Sequence, residues 1–328
     1  MAQKSNTQSA DTISIDDEEG RPERPSDRSR RVAEARASFR DIRLPYPRQD
    51  ELVAALDELR LTGLLTKGKP QGGVRLIAET GSGKTIGAER FKTYVEAAEE
   101  HDPRSKPIVI ATIDGSGTTR SIPASILKAM EVPRPEQGTE PVLWMRAVDA
   151  LRRSETQLLI IDEFNRAARR PTMSSAIATA LRDLMDQGVA PLAFLATEEA
   201  RDVFRRSPDL AGRLDAPVTM NPLDWLVEED RDLFTDFLAG LDDAIVERGV
   251  LRVSSGLAEP GLARLLCEAS NGNIRQISHI VETAMAAIVR RGDDAISRDD
   301  LSVAVDEWSI PNQCISYNPF EAAQHGRP

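Results

Sequence analysis

The stretch Val74-Arg75-Leu76-Ile77-Ala78-Glu79-Thr80-Gly81-Ser82-Gly83-Lys84-Thr85 leaves this chain few folds to adopt. Its apolar run reads as a buried strand ending at Ala78, the glycines make a tight turn, and Lys84-Thr85 open a helix running through Ile86, Ala88 and Phe91 to Val95. That order makes a phosphate-binding loop. Gly81 and Gly83 let the backbone approach a polyphosphate closely, so that successive N–H groups and the helix N-terminus face the anion. Glu79, Thr80, Gly81, Ser82, Gly83, Lys84, Thr85 and Ile86 are the expected nucleotide-contacting residues. Lys84 is expected to reach the β- and γ-phosphates and the Thr85 hydroxyl to bind Mg²⁺. The motif G-x-x-x-x-G-K-[ST] departs here only at its first position, Ala78, which closes the strand while the phosphate is cradled further on. A glycine-rich turn before an ordinary helix is the alternative, and lysine followed by threonine at this spacing after a strand argues against it.

A phosphate loop needs an acidic partner, and Leu158-Leu159-Ile160-Ile161-Asp162-Glu163 supplies one. A fully apolar strand delivers two adjacent carboxylates at its C-terminal edge, where ligands sit in open α/β sheets. Asp162 is expected to hold Mg²⁺ through its water shell, and Glu163 to orient and deprotonate an attacking water. Together they indicate an ATPase of the catalytic-glutamate class. Ile108–Ile113 and Pro191–Thr197 read as two further strands, and helices are expected around 122–130, 142–151 and 174–185. Thr197 ends its strand beside the expected γ-phosphate, as a first sensor residue would. Apolar strands alternating with helices predict a parallel, doubly wound sheet.

At 328 residues the chain has room for this domain and a smaller one. Beyond Asn221-Pro222-Leu223 the pattern is wholly helical, so residues 41–222 are expected to form the α/β core and 223–308 a helical lid. Gly272-Asn273-Ile274-Arg275 starts the third lid helix, from which Arg275 could reach back to the phosphates. Residues 1–40 are expected to be a flexible arm, polar and acidic up to about Ser29 and arginine-rich after it, with helix formation open around Val32–Phe39. The arginines fit a solvated charged helix as well as a nucleic-acid contact. Residues 309–328 read as a flexible tail whose aromatics suit a docking peptide. A net charge of −11 excludes a protein coated in positive charge, but not a local basic patch. With no apolar run of membrane length, no secretory or membrane-targeting segment and only two cysteines, the expected compartment is the cytoplasm.

Arg205, Arg206 and Arg213 follow the fourth strand, and Arg213 is favoured as the residue that completes a neighbouring subunit's site. A surface ion pair is the alternative role.

With these pieces in order, the chain resembles the TniB/TnsC family of AAA+ transposition ATPases, relatives of the bacteriophage Mu B protein. The resemblance is carried by Ile42-Arg43 to Pro47-Arg48, Glu79 to Thr85, Leu158 to Glu163, the strand ending in Thr197, and Ser207-Pro208-Asp209-Leu210 with Arg213-Leu214 before Pro222-Leu223. Asn165 departs from the family, whose TniB-like members often have histidine there. The resemblance implies an AAA+ P-loop fold with a small C-terminal helical lid, ATP and Mg²⁺ as cofactors, and head-to-tail assembly on double-stranded DNA as a ring or helical filament. It further implies a link between a TniQ-type target-selection protein and a DDE transposase, with slow ATP hydrolysis driving disassembly. DNA would be gripped through its backbone. The matching loops put Thr118, Thr119, Arg120, Arg166, Arg169 and Arg170 toward it. Two other functions fit the same nucleotide motifs: an AAA+ ATPase acting on a protein client without DNA, and a clamp-loader-like remodelling motor.

Overall fold

The computed structural model describes residues 25–324 apart from Glu99 and Ser116. The chain enters through α1 (Pro25–Arg40) and, after the extended Leu44-Pro45-Tyr46 connector, α2 (Pro47–Leu65). There follow β1 (Gly73–Ile77), α3 (Lys84–Ala98), β2 (Ile108–Thr112), α4 (Ser121–Ala129), α5 (Glu140–Arg153), β3 (Leu158–Asp162), α6 (Pro171–Asp186) and β4 (Leu192–Ala196). The strands make one parallel sheet in the order β1-β4-β3-β2. Parallel neighbours cannot be joined by tight turns, which is why helices lie between them.

Every residue of β3 and β4 is buried, because both sheet faces are covered. Alternate side chains serve opposite layers. Leu76, Ile108, Leu158, Ile160 and Leu195 join Leu52, Leu56 and Phe91 of α2 and α3. Val109, Leu159, Ile161 and Phe194 join Ile126, Leu151 and Leu181 of α4 to α6. The carboxyl ends of β1, β3 and β4 therefore open on one edge, with the phosphate loop, Asp162 and Thr197 arranged along it.

One element was not legible as a strand. Residues 214–218 run beside the free edge of β1, bridging Gly73 to Leu214 and Leu76 to Val218. Gly73 donates to the Arg213 carbonyl at 3.0 Å and Val218 to that of Arg75 at 3.0 Å. Asp215 and Pro217 deprive this segment of an apolar run, and a proline is tolerated only at such an edge. Between β4 and this segment, α7 (Arg201–Arg206) and α8 (Pro208–Ala211) hold Phe204 against Phe164 and Phe194, with ring centroids 5.3 and 5.7 Å away.

The lid comprises α9 (Glu228–Glu247), α10 (Pro260–Ala269), α11 (Ile274–Arg291) and α12 (Arg298–Ala304), the last running into a π-helical turn, Val305–Ser309. Its helices carry clear end signals. The Asn273 side chain caps α11, Gly292 at φ 88 ends it, and Ser297 with Asp300 forms a reciprocal capping box on α12. The lid core is continuous with the α2/α3 layer in one cluster that includes Met220 and Leu223.

Both ends of the described chain correct the expectation of flexible segments. Residues 25–40, expected within the arm, form α1, which packs on α11 with Val32 and Phe39 buried. Apolar residues at 32, 35 and 39 give the arginine-rich stretch one face to bury, while Arg40 pairs with the buried Glu282 at 2.8 Å. The acidic cluster at 16–19 lies outside the described residues. Within the expected tail, α13 (Pro319–Gln324) docks on the lid. Phe320 is fully buried, and Asn318 donates to the Ser302 carbonyl at 3.0 Å and to Asp306 at 2.9 Å.

Truncating the buried ring in Phe320→Ala is expected to cost about 3 kcal/mol. Urea denaturation followed by circular dichroism checks this. An unchanged midpoint would mean that the docked segment adds nothing to lid stability.

Candidate functional site

The phosphate loop turns on two left-handed glycines, Gly81 at φ 87 and Gly83 at φ 90. Each is also sterically confined. A Cβ on Gly83 would stand 2.6 Å from the Gln49 amide nitrogen, and one on Gly81 2.7 Å from Arg275 Cβ. The loop's carbonyls have donors: Lys84 Nζ donates to those of Ala78 and Glu79 at 2.7 Å each, Asn273 Nδ2 to Thr80 at 3.2 Å and Gln49 Nε2 to Gly83 at 3.3 Å. Among the described residues the N–H groups of Gly81 and Gly83 have no protein acceptor, which suits an incoming anion.

Lys84 is buried, and that burial pulls its ammonium below the ordinary lysine range against the opposing pull of Asp162, Glu163 and Glu79. Across the edge, the Thr85 hydroxyl donates to Asp162 Oδ2 at 2.8 Å, and Asp162 Oδ1 accepts from the Glu163 N–H at 2.8 Å. A hydroxyl and a carboxylate in contact at the foot of a polyphosphate site fit Mg²⁺, a hard cation that takes few protein oxygens beside phosphates and water. Thr197 lines the same cavity.

Glu163 sits at φ 56, a left-handed conformation that costs a side-chain-bearing residue about 1 kcal/mol. Its carboxylate faces Arg166 at 3.4 Å, and Arg166 Nη1 donates to the Ile113 carbonyl at 2.9 Å. Arg166, expected to face DNA, is thus engaged with Glu163 and the end of β2. Arg169 and Arg170, at the end of the 3-10 turn Phe164–Arg169 and just after it, are exposed, and their side chains have no hydrogen bond or ion pair among the described residues. In the neighbouring loop, Thr119 donates to Glu140 at 2.6 Å, Arg120 to the Glu136 carbonyl at 2.7 Å, and Thr118 shares hydrogen bonds with Ser121. The two loops touch at Gly117, where any Cβ would run into the Arg166 carbonyl oxygen.

A cavity of 1010 Å³ contains the loop, Glu163 and Thr197 and extends under the lid, past Ile42, Leu44, Phe237 and Leu241 to Ile274 and His279. Arg275 stands exposed at its rim beside Gly81. The structure therefore gathers residues 80–86, Glu163, Thr197 and Arg275 around one cavity, with Asp162 beneath it, bonded to Thr85. Glu79 contributes its carbonyl to Lys84. Arg213 is not at this cavity; its guanidinium pairs with Asp186 at 2.5 Å, while Arg205 pairs with Asp202 at 2.8 Å. Gln49 and Asn273 were missed as site residues. Asn273 stood in an N-cap position before a periodic helix, a signal that gives the cap and not the reach to Thr80. Nothing around Gln49 marks it.

Residues 37–221 match the family model described as bacterial TniB protein. No curated protein matches the chain. Among solved structures it is similar to the Aeropyrum pernix ORC2 protein in ADPNP-ADP complexes, with TM-score 0.63 and 17% identity over 82% of this chain and 71% of that one. It is similar as well to Cdc6p from Pyrobaculum aerophilum (0.60, 16%, 83% and 70%) and to the Aeropyrum pernix ORC1 protein in complex with DNA (0.56, 17%, 83% and 69%). The fold is that of an AAA+ P-loop protein.

Lys84→Ala removes the one ammonium in the loop and is expected to weaken binding of a nucleoside triphosphate about a hundredfold, as charge-assisted bonds of this kind do. Titration calorimetry with an unchanged melting temperature as the folding control decides it.

Proposed function

The chain belongs to the TniB family, and from that membership we propose that it is an ATP-dependent, DNA-binding AAA+ regulator of transposition. It assembles head to tail on double-stranded DNA and links a TniQ-type target-selection protein to a DDE transposase. The observation that carries the DNA contact is the pair of free, exposed guanidinium groups on Arg169 and Arg170, on the same turn that leaves Glu163. In a chain of net charge −11 most of the neighbouring cations are neutralised, and a bare basic pair suits backbone phosphates, which are gripped without base reading.

ATP lies in the cavity with its polyphosphate against the amides of residues 79–86 and the Lys84 ammonium, and with its base under the lid beside Leu44 and Ile274. Thr85 and Asp162 would hold Mg²⁺, whose part when bound would be to neutralise phosphate oxygens. Glu163 takes the proton of the attacking water on its carboxylate, for which it must leave Arg166. Thr197 orients that water from the next strand, and Arg275 reaches the phosphates from the lid. Arg213, once released from Asp186, meets the transition-state charge in the site of the adjoining subunit. A head-to-tail contact of this kind closes as a ring or continues as a helix. Hydrolysis withdraws the contact and dissolves the assembly.

Negative-stain electron microscopy with duplex DNA tests the reading. Coats are expected with a non-hydrolysable ATP analogue and not with ADP. Bare DNA in both states, from protein that binds ATP, would leave an AAA+ ATPase whose client is protein. Replacing Arg169 and Arg170 by alanine should weaken DNA binding and lower the slope of log affinity against log salt by about 2. Glu163→Gln should keep ATP affinity, lose hydrolysis by a factor of about 10²–10⁴, and leave persistent coats. Prompt disassembly of that variant in a light-scattering assay would contradict the role of Glu163.

A further inference from the structure

One lid side chain is hydrogen-bonded to the phosphate loop. Asn273 is 4% exposed, and its amide works in two directions. Oδ1 accepts from the N–H groups of Arg275 at 3.0 Å and Gln276 at 3.4 Å, capping α11, while Nδ2 donates to the Thr80 carbonyl at 3.2 Å. Among the described residues this is the lone hydrogen bond between lid and loop.

The surroundings leave Asn273 little freedom. Gly272, at φ 66, packs so closely on Leu223 that any Cβ would strike its carbonyl oxygen, and Leu223 donates back to the Gly272 carbonyl at 3.0 Å. Leu223 begins the lid-side polypeptide, so the turn that presents Asn273 is fastened at the junction of the two domains. On its other side, Gly81 lies within contact of both Asn273 and Arg275: a Cβ there would stand 3.1 Å from Asn273 Oδ1 and 2.7 Å from Arg275 Cβ. A shift of the loop at Thr80 and Gly81 is therefore felt at the start of α11. A second amide, Gln49, holds the same loop at Gly83 and belongs to α2, which packs on the sheet side.

We propose that Asn273 is a positioning residue that transmits the state of the phosphate loop to the lid, fixing α11 and with it Arg275 over the phosphates. This rests on the nucleotide reading of the cavity. Gln49 stiffens the loop and, among the described residues, its side chain makes no hydrogen bond to the lid. The two amides thus separate two effects that otherwise arrive together, tighter phosphate binding and lid placement.

The test pairs Asn273→Ser with Gln49→Ala in the full chain. Serine keeps the cap on α11 and is too short to reach Thr80, so the melting temperature serves as the folding control. Fluorescent ADP is the probe, read by its dissociation rate and by hydrogen exchange along the first turn of α11. In the wild type, ADP is expected to slow exchange there. In Asn273→Ser that slowing should vanish and dissociation should quicken roughly three- to tenfold, the span of one hydrogen bond. Gln49→Ala should quicken dissociation over a similar range and keep the slowing. Wild-type exchange and dissociation in Asn273→Ser would overturn the proposal, as would identical behaviour of the two variants. Failure of the wild type to bind the fluorescent ADP would sink the nucleotide reading and this coupling with it; binding with an unaltered Asn273→Ser sinks the coupling alone.

Discussion

Four carbonyl oxygens of the phosphate loop are held by donors from three separate parts of the chain: Lys84 from α3, Gln49 from α2 and Asn273 from the lid. A partly buried backbone must find partners for its polar groups, and here side chains supply them. That arrangement engages the carbonyls and, among the described residues, leaves the N–H groups of Gly81 and Gly83 without a protein acceptor. The rest of the structure is needed to bring those donors in. Leu52 and Leu56, both fully buried, seat α2 so that Gln49 arrives under Gly83. The Gly272 turn against Leu223 does the same for Asn273.

The opposite wall of the site is built from charge. Glu163 emerges from β3 in a left-handed conformation and meets Arg166 rather than solvent alone. Arg166 also binds the end of β2, and its carbonyl lies against Gly117, so the two loops proposed to approach DNA share a boundary with the Glu163 carboxylate. The half-exposed Glu163–Arg166 pair contributes little to stability, as pairs of this exposure do. Its interest lies in geometry, because one side chain connects a strand end, a loop and an acid.

Much of the architecture was legible because parallel strands buried on both faces are written as continuous apolar runs. Leu158–Asp162 and Leu192–Ala196 stand out for that reason, and so do the loop and the lid helices with their caps. Residues 214–218 were not, since an edge segment bridged at separated points needs no such run and carries Pro217. The docking of α1 was hidden by its arginines, which mask an apolar face of Val32, Ala35 and Phe39. Side-chain partners across long sequence separations were the least visible. The bonds from Asn273 to Thr80, Arg213 to Asp186 and Arg40 to Glu282 depend on where whole elements settle, and local pattern does not encode that.

The first and last described helices share one domain. α1 packs on α11, and α13 packs on α12 and α10, so the chain leaves the lid to build the sheet and returns to it. A lid turning on the sheet carries both of them as one lever. A pair of labels on α1 and α13 would be blind to that rotation, while a label on either, paired with one on α5, would follow it. The distance of either helix from the sheet therefore reports where the lid stands.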